Sequence, residues 1–138
     1  MTDANLPIGV FDSGMGGLTV LAALRQQLSQ EDFIYLGDTA RLPYGTKSPA
    51  TVQRYAQQAA GALVARGIKA LVVACNTASA TALHTLAEEF APLPVFGVVE
   101  PGALAACAVA DSSGVTVLAT ESTIAGGAYQ RGNYYSSL

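Results

Sequence analysis

Short apolar runs alternate with segments of helical spacing along almost the whole chain, and this alternation restricts the fold more than any other feature. Residues 8–11 are apolar and end in Asp12-Ser13-Gly14-Met15-Gly16-Gly17, after which Leu18, Leu21, Ala22 and Leu28 recur at helical spacing. Residues 33–36 form a second run, closed by Gly37-Asp38-Thr39. A polar loop over 41–47 leads to Ser48-Pro49, a capping serine with proline at the first helical position. Val52, Tyr55, Ala56, Ala59 and Leu63 then stripe a helix that stops at Gly67. Residues 70–74 are unbroken apolar, the pattern of a strand buried on both faces, and end in Cys75-Asn76-Thr77. Leu83, Leu86, Ala87 and Phe90 mark the next helix. Residues 95–99 read as a fourth strand, followed by Glu100-Pro101-Gly102 and an alanine-rich helix. Residues 115–119 read as a fifth, closed by Thr120-Glu121-Ser122-Thr123.

Such alternation predicts right-handed βαβ units: a three-layer, doubly wound α/β domain with a mainly parallel sheet of four or five strands. With 138 residues the chain has the size of one domain, and no linker, repeat or low-complexity stretch divides it. In open sheets of this kind ligands bind beyond the carboxyl ends of the strands. The polar residues gather there. Asp12, Ser13, Asp38, Tyr44, Cys75, Asn76, Thr77, Glu100, Thr120 and Thr123 are all expected to face one crevice.

Composition sets limits on partners. Charged residues are 12% of the chain, against roughly 25% in ordinary soluble domains. Either alanine raises the apolar share without adding greasy surface, or part of the surface is covered by another domain or chain. A net charge of −3 without a Lys/Arg run argues against nucleic acid and against an anionic membrane. No apolar stretch nears the ~20 residues of a membrane span. Met1-Thr2-Asp3-Ala4-Asn5 lacks the positive region of a secretory signal, and two cysteines without framework spacing suit a reducing cytoplasm.

Cys75 is the strongest chemical signal: it stands where a buried strand gives way to a helix, and a helix start favours a thiolate. The alternative is a cysteine that merely packs as a small hydrophobe. Cys107, mid-helix among alanines, reads as packing, and His84 has no ligand or triad partner at useful spacing. Neither Lys47 nor Lys69 stands at a strand end, so a pyridoxal cofactor has no anchor, and no metal set is present in the sequence. The Gly14–Met15–Gly16–Gly17 turn fails both the dinucleotide and the P-loop patterns. It is either a plain tight turn or a helix start offering N–H groups to an anion such as a carboxylate.

Three blocks taken together resemble the glutamate racemases: Ile8-Gly9-Val10-Phe11-Asp12-Ser13-Gly14-Met15-Gly16-Gly17-Leu18, Tyr35-Leu36-Gly37-Asp38-Thr39-Ala40-Arg41-Leu42-Pro43-Tyr44-Gly45, and Val73-Ala74-Cys75-Asn76-Thr77-Ala78-Ser79. Gly97-Val98-Val99-Glu100-Pro101-Gly102 and Ala119-Thr120-Glu121-Ser122-Thr123-Ile124 resemble later blocks of that family. The resemblance covers residues 7–131, as an N-terminal racemase-like domain, and leaves 132–138 as an unmatched tail.

The resemblance implies one domain of a normally two-domain, cofactor-independent enzyme that interconverts L- and D-glutamate and supplies D-glutamate for peptidoglycan in the cytoplasm. It implies Cys75 and Asp12 as catalytic, with Asp12, Ser13, Tyr44, Gly45, Asn76, Thr77, Thr120 and Thr123 holding the substrate. Inverting an α-carbon needs a base on one face and an acid on the other. The family's second cysteine stands in a Cys-Thr-His block without a counterpart here, and Cys107 does not match it. The expected partners are therefore glutamate and a C-terminal domain or second chain, a homodimer among the options, with little activity from this half alone. The alternatives are a non-catalytic module binding a small dicarboxylate or a partner chain, and a racemase of another acidic amino acid such as aspartate.

Overall fold

The computed structural model describes residues 3–111 and 113–135; residues 136–138 of the expected tail lie outside them. Four strands, β1 (Ile8–Asp12), β2 (Phe33–Gly37), β3 (Ala70–Val73) and β4 (Val95–Gly97), form one sheet in the order β2-β1-β3-β4. All three pairings are parallel. The helices are α1 (Leu18–Gln27), α2 (Pro49–Val64), α3 (Asn76–Glu89), α4 (Val99–Val109), α5 (Glu121–Ala125) and α6 (Ala128–Tyr135). Two 3-10 turns, Thr39–Arg41 and Tyr44–Thr46, follow β2.

Local chemistry explains the boundaries. Ser48 Oγ accepts the N–H of Thr51 at 3.3 Å and Pro49 opens α2, the expected cap. Gly67, with φ of 75°, turns the chain from α2 into β3. The inward face of α2 is Val52, Ala56, Ala59, Ala60 and Leu63; that of α3 is Ala78, Ala82 and Leu86. Together they cover Phe11, Leu71 and Val73 in the core.

Three expectations are corrected. Residues 115–119 are not a strand: they are irregular, and Leu118 is 93% exposed. The segment pairs with no strand of the sheet, and α4, which precedes it, packs mainly on α6. β4 ends at Gly97, not at 99, because Val98 already caps α4. On α1 the sheet-facing residues are Val20, Leu21 and Leu24, while Leu18 and Ala22 point outward.

Candidate active site

The carboxyl ends of β1 and β3 are neighbours, and the turns that leave them enclose a cleft of about 450 Å³. Asp12, Ser13, Tyr44, Gly45, Cys75, Asn76, Thr77 and Thr120 all line it. These residues, spread over more than a hundred positions, meet at one cleft, although Thr120 follows an irregular segment rather than the expected fifth strand.

Cys75 caps α3 with its own side chain. Its Sγ accepts the Ala78 N–H at 3.4 Å and donates to Ser13 Oγ at 3.3 Å. The residue is 6% exposed, so the sulfur sits at the floor of the cleft.

Asp12 works first as an organiser of the β1–α1 turn. Its Oδ2 accepts the N–H groups of Gly14 at 3.1 Å and Gly17 at 3.0 Å. Two N–H groups of this turn are therefore already engaged. Close approach demands glycine here: a β-carbon on Gly17 would lie 2.6 Å from Asp12 Cβ. The Tyr35 hydroxyl donates to Gly14 O at 3.1 Å and stands 3.4 Å from Asp12 Oδ2. Burial, then the charge and hydrogen bond of Asp12, push the Tyr35 phenol up to about 12.

Tyr44 reaches the cleft only from behind. It is 1% exposed, packs between Phe11 and Tyr55 with ring centroids 6.1 and 5.8 Å away, and donates to Asp38 Oδ2 at 2.5 Å. Burial first, then the Asp38 hydrogen bond and charge, raise its phenol far above the ordinary range. Asp38 also holds Arg41 Nε at 2.6 Å, and the guanidinium stacks over Tyr55 at 4.1 Å. Asp38 is thus a clamp beneath the Pro43-Tyr44-Gly45 loop and does not line the cleft.

The Thr77, Thr120 and Thr123 hydroxyls form a chain with 3.0 Å steps. Thr123 is buried behind Thr120 and does not line the cleft. Glu100 is also outside it: it borders a separate groove with His84 and Arg131. His84, expected to have no partner at useful spacing, has Glu88 one helical turn on, 3.3 Å from its Nε2 on the exposed face of α3 and away from the cleft. Among the described residues no group of three His, Cys, Asp or Glu is arranged to hold a metal ion.

Sequence reasoning passed over three residues that shape the site. Ser122 Oγ donates to the carbonyls of Gly45 at 2.9 Å and Lys47 at 3.3 Å, fastening α5 to the second 3-10 turn. Tyr35 was readable in principle, since parallel register sets it beside Val10 and directs it to the β1 turn. The third, Tyr129 on α6, donates to Asn76 Oδ1 at 2.6 Å and had no signal in local pattern.

Residues 8–133 match the family model described as Asp/Glu/Hydantoin racemase. A glutamate racemase of Thermus thermophilus is 56% identical over 131 residues, which is 95% of this chain and 49% of that protein. The solved structure of glutamate racemase from Aquifex pyrophilus superposes with a TM-score of 0.89 at 48% identity, covering 94% of this chain and 51% of the other. That of Francisella tularensis, solved with D-glutamate, gives a TM-score of 0.85 at 44% identity, over 95% of this chain and 48% of the other. The chain spans about half the length of the curated relatives it matches.

Proposed function

The chain belongs to the Asp/Glu/hydantoin racemase family, and from that premise we propose that its Cys75 cleft binds glutamate and moves the α-proton in glutamate racemisation. The observation that carries the reading is Cys75 itself, a cysteine at the floor of a polar cleft with Ser13 and the first turn of α3 on its sulfur.

In the forward step the Cys75 thiolate takes the α-proton from one face of the amino acid, forming an S–H bond as the C–H bond breaks. The electron pair is left on the α-carbon and spreads into the carboxylate. Donors around the cleft oppose that charge: the Ser13 and Thr77 hydroxyls and the Asn76 amide are the candidates. Asp12 assists from beside Ser13. Gly45 and Thr120 complete the wall of the cleft, while Tyr44 and Thr123 support it from behind, Thr123 through its contact with the Thr120 hydroxyl. A second acid then delivers a proton to the opposite face. This chain brings one cysteine to the cleft, so the second thiol comes from a C-terminal domain or another chain, a homodimer being one source. Lacking it, inversion should be slower by about 10²–10⁴-fold. No cofactor is required for two thiols to exchange roles. The physiological assignment that follows is cytoplasmic supply of D-glutamate for peptidoglycan.

Ligand protection tests the reading. Glutamate should slow alkylation of Cys75 and leave Cys107 unaffected, read residue by residue by mass spectrometry. Equal Cys75 labelling with and without glutamate contradicts it.

A further inference from the structure

Asn76 opens α3 beside Cys75, and its side chain is exposed where it lines the cleft. A carboxamide has two ends of nearly equal size and opposite polarity: Oδ1 only accepts, Nδ2 only donates. An unanchored amide samples both orientations, and one of them presents an oxygen to an incoming carboxylate. Something must decide which end faces the ligand.

The deciding contact comes from 53 positions away. The Tyr129 hydroxyl donates to Asn76 Oδ1 at 2.6 Å. We propose that Tyr129 is a positioning residue for substrate binding: by occupying Oδ1 it leaves the Asn76 Nδ2 hydrogens for the carboxylate in the cleft. This rests on the glutamate reading above. A phenol keeps its proton across the neutral range without help, and burial raises that of Tyr129 further, so the hydroxyl is available as a donor.

The lever is held firmly enough to do this. The Tyr129 ring lies against α4 at Gly102, where an added β-carbon would touch its Cε1 and hydroxyl at 3.4 Å. One turn on, α6 approaches α4 so closely that a β-carbon on Gly132 would lie 2.8 Å from Ala103 Cβ. The α4–α6 pair therefore backs the ring on one side and the hydroxyl holds the amide oxygen, so part of the cost of orienting this exposed amide is met before ligand arrives. A donor oriented in advance opposes carboxylate charge without reorganisation.

The test is a double-mutant cycle on the 15N-labelled chain, with D-glutamate affinity read from the Asn76 side-chain amide and neighbouring backbone signals. Tyr129→Phe keeps the ring and removes the hydroxyl. It should shift the Asn76 side-chain amide signals in the free protein and weaken D-glutamate binding about fivefold, in the range of one lost hydrogen bond. Unliganded alkylation of Cys75 should not change. In an Asn76→Ala background, followed by the backbone signals, Tyr129→Phe should have no further effect on affinity. Equal affinity in wild type and Tyr129→Phe overturns the proposal, as does an equal loss in both backgrounds, which would mark a merely structural tyrosine. A wild-type chain whose cleft signals ignore D-glutamate overturns the glutamate reading itself, and the positioning role with it.

Discussion

On the α2–α3 side of the sheet, Phe11, Leu71 and Val73 are wholly covered, whereas on the α1 side Phe96 is 57% exposed and an apolar cleft of about 420 Å³ separates α1 from the strands. The strands supply apolar side chains to both faces; the helices make the difference. Ala56, Ala59 and Ala60 on α2, with Ala78 and Ala82 on α3, let two helices settle closely together on the sheet. No residue of α1 is fully buried, although Val20, Leu24 and Leu28 border the apolar cleft. The cysteine belongs to the sealed side: Cys75 caps α3, and Cys75, Ala78 and Tyr44 are members of the main core cluster. A reactive group on a rigid, well-packed element is held in position better than one on a loop.

Core truncation should separate the two faces most sharply. Leu71→Ala and Leu86→Ala, both wholly buried on the sealed side, should each cost about 3 kcal/mol in urea unfolding. Phe96→Ala, already half in solvent, should cost roughly 1 kcal/mol or less. Equal losses would abolish the distinction between the faces.

Gly45→Ala comes next. A β-carbon there would lie 2.5 Å from Thr120 Cβ, so loop and α5 must part, at about 1–3 kcal/mol. Because the loop borders the cleft, glutamate protection of Cys75 should weaken in the same variant.

Alkaline titration probes the turn on the open side. The Tyr35 phenol is raised to about 12 in the folded chain, so folding favours its protonated form. That stability is fully present below pH 10 and is lost as pH rises through about 12. Allowing for partial exposure it is on the order of 1 kcal/mol. Tyr35→Phe should flatten this part of the stability profile between pH 10 and 12. Tyr44, raised further on the sealed side, should keep its proton beyond that window. The smallest effect expected is Ser48→Ala, a lost cap of about 0.5–1 kcal/mol, with no change at Cys75.

What could be read from the sequence was whatever local periodicity and strand ends dictate. The four strands, the Ser48 cap, the Gly67 stop and the gathering of Asp12, Ser13 and Cys75 follow from those rules. Residues 115–119 have a strand's pattern, but a strand also needs a paired edge, and this segment joins none, a long-range outcome that local pattern does not carry. Glu100 ends a strand run as Cys75 does, yet α4 carries it to another groove. The Tyr129–Asn76 contact joins positions that no periodicity relates, so only the packing of α6 on α4 reveals it.

The central claim is that Cys75 removes the α-proton of glutamate, and deuterium exchange reads that step directly. The chain is incubated with L- or D-glutamate in deuterated water, and loss of the α-proton signal is followed by NMR beside optical activity. With one cysteine in the cleft, the account predicts α-exchange in one enantiomer that outpaces inversion and disappears in Cys75→Ala. Absence of exchange with either enantiomer, or exchange undiminished in Cys75→Ala, would contradict it.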